Sequence, residues 1–117
     1  EAANGALAHV GLTVDAPQFK AFGAKYKAEY KSESDHNGIK GYQGMYMLKA
    51  GIEKVGKFDK SAAAKALHGL TIKTATEPGI LMDLTIDEKG DIDRASFIIE
   101  VQNGKPVVKE ILPPLGK

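Results

Sequence analysis

The spacing of apolar residues that begins at Phe19 changes near Leu70, and that change fixes the order of the elements on either side of it. Before it the period is helical. Phe19, Phe22, Tyr26 and Tyr30 recur at steps of three and four, one face of a helix. Asp15 can cap this helix, Pro17 sits in its first turn, and Gln18 can reach back. Burial of each phenylalanine is worth about 1.5 to 3 kcal/mol, so the helix has to dock against something. Residues 32–38 are polar turn formers and read as a loop. A second helix is expected over 39–55, with an apolar stripe of Tyr42, Met45, Tyr46, Leu48, Ile52 and Val55. Gly41, Gly44 and Gly51 inside it cost up to about 1 kcal/mol each relative to alanine, which suggests close approach of another backbone. Gly56 ends that helix. Asp59 caps a third, with a small-residue face of Ala62, Ala63, Ala66, Leu67 and Leu70, and Gly69 supplies a left-handed cap.

After Leu70 the pattern is that of strands. Residues 71–74 alternate, Pro78-Gly79 turns, and 80–86 reads as a strand followed by a tight polar turn over 87–91. Strands are expected over 95–101 and 107–112, joined through Asn103-Gly104, a strong short-range hairpin signal. A short strand is also expected near the start, where Leu7, Val10, Leu12 and Val14 stand among small residues.

At 117 residues, 43% of them hydrophobic, the chain is long enough for one domain with a core. Sixteen basic and fifteen acidic residues leave a net charge of +1 with no dense basic stripe, which argues against a nucleic-acid or anionic-membrane surface. The absence of cysteine excludes disulfide and thiolate chemistry and leaves the compartment open. His9, His36 and His68 are far apart and form no zinc-binding spacing, so no metal site is expected. Asp83, Asp87, Glu88, Asp91 and Asp93 do not follow a calcium-loop order. Asp87 and Gly90 read as turn residues, with Asp91 and Asp93 solvated nearby. No phosphate loop and no nucleophile elbow occurs, so neither an enzyme active site nor a cofactor is expected.

Six landmarks follow one another in a familiar order: the glycine-led start through Leu7, the helix from Phe19 to Tyr30, Gly41-Tyr42 through Gly56, Ala66 through Leu70, the turn from Asp87 to Asp91, and Asn103-Gly104. Together they resemble the C-terminal third of type I periplasmic solute-binding proteins, the branched-chain amino-acid and aromatic-acid receptors of ABC importers. Gln43 and Gly44 depart from the glycine-tyrosine-aspartate-alanine run of that family. The resemblance implies an α/β chain that is a fragment of a two-lobed fold, three helices followed by a β-hairpin region. Residues 1–11 and 95–117 would give strands of the second lobe, and 12–94 the helical part of the first. It further implies a non-enzymatic role, binding a small amino acid or an organic acid, aromatic acids included, for an ABC permease. The location would be periplasmic or extracellular, with or without a lipid anchor.

Of the positions present, Asn37 and Tyr42 correspond to a cleft-facing loop and helix start. Asn37 could donate to a ligand carboxylate or cap its loop; Tyr42 could stack on a ligand or pack on a neighbouring helix. Because the family's central strands are mostly missing, the Phe19 and Tyr42–Val55 stripes would lack their sheet. Self-association or a companion chain of the same protein is the expected remedy. The competing reading is a free-standing α+β interaction domain that dimerises through its helices without a ligand.

Overall fold

The computed structural model describes residues 2–116; Glu1 and Lys117, which end the first and last expected segments, lie outside the described residues. Strand β1 spans Leu7–Val10. Helices α1 (Lys20–Tyr30), α2 (His36–Val55) and α3 (Lys60–Leu67) follow, then strands β2 (Thr71–Ile72), β3 (Leu84–Ile86), β4 (Ile92–Arg94), β5 (Ser96–Gln102) and β6 (Lys105–Leu112). These strands form two antiparallel sheets, ordered β1-β5-β6 and β2-β3-β4. The fold is mixed α/β, with three helices ahead of a β-hairpin region as the sequence predicts. It divides into two compact units: residues up to Ile39 with Ala95–Pro113, and Lys40–Arg94 with the residues after Pro113.

In the first unit the β5–β6 hairpin turns on Asn103 and Gly104, with φ of 52° and 75°. Two successive positive φ values make a type I′ turn, whose twist matches that of the flanking strands. Phe97 on the central strand β5 is opposite Val10 of β1 and Ile111 of β6. Its ring meets Phe19 edge-on, centroids 6.2 Å apart, and both side chains are fully buried. The Phe19 stripe therefore has a sheet partner within this chain, contrary to expectation. The stripe runs out toward Tyr30, which is 65% exposed.

The start of α1 also differs from the sequence reading. A 3-10 turn, Pro17–Phe19, precedes it, and Ala16 rather than Asp15 holds the cap position, without a side-chain bond. Helix α2 begins three residues earlier than expected, inside the polar loop, because the Asp35 carboxylate accepts the amides of Asn37 and Gly38 at 2.9 Å each. Those amides would otherwise have no acceptor at a helix start. The Gly38 amide above all holds the Asp35 carboxyl below its ordinary pKa.

The second unit packs α2 and α3 on the β2-β3-β4 sheet. Ile72, Ile80, Leu84 and Ile86 form its core, covered by Tyr46, Met47, Ala50, Leu67 and Leu70. The expected stripe on α2 is displaced: Met45 is 65% and Leu48 43% exposed, whereas Gln43 is buried. Only one of the three helix glycines meets another backbone. A Cβ at Gly51 would lie 3.0 Å from the Ala63 carbonyl oxygen of α3, while Gly41 and Gly44 have nothing within 4 Å. Asp59 caps α3 as expected, accepting the Ala62 amide at 3.0 Å.

The expected strand over 80–86 is mostly not one. Pro78–Ile80 forms a 3-10 turn, Leu81 adopts a left-handed φ of 65°, and only Leu84–Ile86 pairs. Strand β4 lies between the expected turn over 87–91 and the strand expected from 95, in a stretch assigned to neither. Asp93 is not merely solvated either, since its two carboxylate oxygens accept the amides of Leu115 and Gly116 at 2.7 Å.

Asp83 accepts both the amide and the hydroxyl of Thr74 at 2.8 Å, and Asp87 accepts the amides of Lys89 and Asp91. The Thr74 amide chiefly lowers the Asp83 pKa, and the Asp91 amide that of Asp87. Each folded-state value is depressed, so the stabilisation is complete above about pH 5. It is lost as pH falls past the usual carboxylate value of about 3.9 and through the lowered one. Asp83→Asn and Asp87→Asn should therefore reduce stability at neutral pH and flatten its acid dependence, as read from urea unfolding at a series of pH values. Parallel pH curves for variant and wild type would contradict this.

Candidate functional site

The N-terminal half of α2, the turn around Pro78–Ile80 and the end of β4 meet on the second unit. Gln43 is 1% exposed, an unusual place for an amide unless both of its ends are satisfied. Its Nε2 donates to the Ile80 carbonyl oxygen at 2.7 Å, which leaves Oε1 to accept from Arg94 Nη1 at 2.8 Å. A carbonyl of the 3-10 turn thus fixes the glutamine, and the glutamine fixes the guanidinium. Arg94 is half-buried, and loss of hydration pulls its pKa below the ordinary arginine value.

Beside this relay the Tyr46 ring lies flat against the turn. A Cβ on Gly79 would come within 2.1 Å of that ring, so only glycine fits there. Tyr42 follows one helical turn earlier, with ring centroids 5.1 Å apart and its hydroxyl donating to the Tyr46 hydroxyl at 3.4 Å. That bond, followed by burial and the nearby Glu77 charge, raises the Tyr42 phenol pKa, so it is a neutral donor at pH 7. Glu77 caps the 3-10 turn through the Gly79 amide and pairs with Lys49, which chiefly holds the Glu77 carboxyl low. The arrangement presents an aromatic surface and a cation. Such a surface can hold a guest by stacking and charge.

Tyr42 is 39% exposed, at the edge of this arrangement. Asn37 lies in the first turn of α2, where its Nδ2 donates to Asp35 Oδ2 at 3.3 Å. The two residues fall in different compact units, and each is placed within its own. His9 bonds the Ser96 hydroxyl across the β1–β5 pair at 2.8 Å, and His68 Nδ1 sits 2.9 Å from the Glu88 carbonyl oxygen. Among the described residues no three His, Cys, Asp or Glu side chains come together as a metal site. Nor is any helix among them long and apolar enough to cross a membrane.

Sequence reasoning missed Gln43 and Arg94 as a pair. The available signal was compositional: Arg94 is the sole arginine among the sixteen basic residues. Gln43 had stood out only as a departure from the family pattern.

A leucine-binding protein, LivK, from Thermotoga maritima superposes on 97% of this chain with a TM-score of 0.72 and 27% sequence identity. A solute-binding protein of an ABC transporter from R. palustris, solved in complex with benzoate, superposes on 99% with a TM-score of 0.73 at 17% identity. The chain has the fold of a part of a type I periplasmic solute-binding protein. It spans 32% of the length of each of those two structures. At 17% identity the second likeness shows the solute-binding-protein fold alone, whereas the first adds sequence similarity to it. No protein-family model and no curated protein matches the chain.

Proposed function

We propose that the chain is part of the substrate-binding component of an ABC importer, which holds a small amino acid or organic acid, aromatic acids included, between two lobes. The reading rests on the superposition of almost the whole chain on a leucine-binding protein, supported by the second likeness to a benzoate complex. Asn37 and Tyr42 are assigned as solute contacts, Tyr42 by its exposed ring and neutral hydroxyl. Function of this kind needs no bond-making. Ligand contacts to both lobes select the closed form, and the membrane permease reads it. The protein acts in the periplasm or outside the cell.

The test is a thermal-shift panel of amino acids and aromatic carboxylates on the full natural polypeptide. A solute at 100 times its dissociation constant is expected to stabilise by about 2.7 kcal/mol. Tyr42→Ala should weaken the binding of that solute. The exposed Met45 and Leu48 on α2 favour one other reading, an interaction domain that self-associates through its helices. A melting temperature that ignores every solute but rises with protein concentration would decide for it.

A further inference from the structure

Arginine occurs once in this chain, at a half-buried position, while the other fifteen basic residues are all lysine. The choice is physically specific. Guanidinium is planar, more weakly hydrated than ammonium and able to grip a carboxylate with two parallel bonds. A half-buried guanidinium without a counter-charge is costly, because it has lost water and gained only partial compensation. Among the described residues the Arg94 guanidinium has one hydrogen-bond partner, the neutral amide oxygen of Gln43, and forms no ion pair with a carboxylate. Of its five N–H groups, one is thereby used, and the others are open to water or to an arriving anion, since no side-chain nitrogen among the described residues is both buried and without a partner.

Gln43 is built to hold the group still rather than to neutralise it. Its own amide is locked to the Ile80 carbonyl oxygen, so the oxygen facing Arg94 cannot flip away. Prior fixing of this kind reduces the entropy lost when an anion arrives.

We propose that Arg94, oriented by Gln43, is the docking point for a carboxylate. The carboxylate belongs either to the bound solute or to an acidic side chain of the longer polypeptide; the solute as source rests on the solute-binding reading given above, whereas the protein carboxylate does not. Arg94 is then a binding residue and Gln43 a positioning residue.

The test compares benzoate with benzamide, and leucine with leucinamide, by calorimetry on the full natural polypeptide and on Arg94→Met, Arg94→Lys and Gln43→Leu. With a solute carboxylate, Arg94→Met loses affinity for the acids by at least about tenfold, the size of one charge-assisted bond, while the amides bind unchanged. Arg94→Lys recovers part of the loss, since it restores the charge without the fork, and Gln43→Leu weakens the acids alone. Phenylglyoxal labelling of Arg94 on the wild type, read by peptide mass, supplies the second measurement and needs no variant to fold. With a protein carboxylate, the acid-over-amide preference survives Arg94→Met. Arg94 is then shielded from phenylglyoxal without solute, and is exposed to it only at roughly 1 M salt, where screening reaches about 3 Å. If acids keep their preference in Arg94→Met and Arg94 reacts freely at low salt, the proposal is wrong. If none of the four compounds binds the wild type, the solute-binding reading fails for this class, and the labelling alone still decides for or against a protein carboxylate.

Discussion

Phe97→Ala is expected to lower the unfolding free energy by about 3 to 5 kcal/mol, the usual cost of deleting a buried phenylalanine ring. Phe97 sits on the central strand of its sheet, flanked by Val10 and Ile111 in register, and closes edge-on against Phe19. Both rings are inaccessible to solvent, so truncation leaves a void on a face that the backbone ladder prevents from collapsing. Against a typical domain stability of about 5 to 15 kcal/mol, one such loss removes a large fraction. Urea unfolding followed by circular dichroism measures it. Tyr30→Ala on the same helical stripe is the control: at 65% exposure it should change little, within about 0.5 kcal/mol. Equal effects at the two positions would mean that the Phe19–Phe97 contact is not the seat of this unit's stability.

Gly79→Ala is expected to cost about 1 to 3 kcal/mol, the range for forcing a methyl group into filled space. The cause is steric rather than conformational. Gly79 is absent from the positive-φ glycines, but its added Cβ would stand 2.1 to 2.4 Å from three atoms of the Tyr46 ring. That ring is confined by Tyr42 on one side and lies over the core of its unit, so it cannot swing clear cheaply. A double-mutant cycle isolates the contact. In a Tyr46→Ala background the Gly79→Ala cost should fall below about 0.5 kcal/mol, since the obstacle is gone. An undiminished cost in that background would assign the effect to the turn backbone instead. The same experiment reports on the candidate site, because Glu77 and Ile80 of this turn hold Lys49 and Gln43.

Much of the candidate site was hidden from the sequence for a physical reason. Tyr42 could be singled out as an aromatic at a helix start. Asn37 could be read equally as a ligand donor or a loop cap, and its side chain is found on Asp35 within the cap. The Gln43–Arg94 pair is separated by many residues along the chain. Nothing in the local pattern of either shows that the Ile80 carbonyl will fix the glutamine.

What the sequence determined by itself was whatever depends on neighbours in the chain. The helical period from Phe19 onward, the Asp59 cap, the glycine ending α2 and the Asn103-Gly104 turn are all short-range, and all are found where they were expected. Tertiary structure alone decided which side of α2 is buried. Helical spacing defines a stripe only to within about one residue, and the polar Gln43 was the one that the core could satisfy. It also decided the fate of 80–86, a strand-like apolar run that starts at the end of a 3-10 turn with Ile80 buried in the core and pairs only from Leu84. Local propensities are small per residue, whereas burying one large side chain or satisfying one buried amide is worth a kilocalorie or more. Where the two conflict, packing prevails.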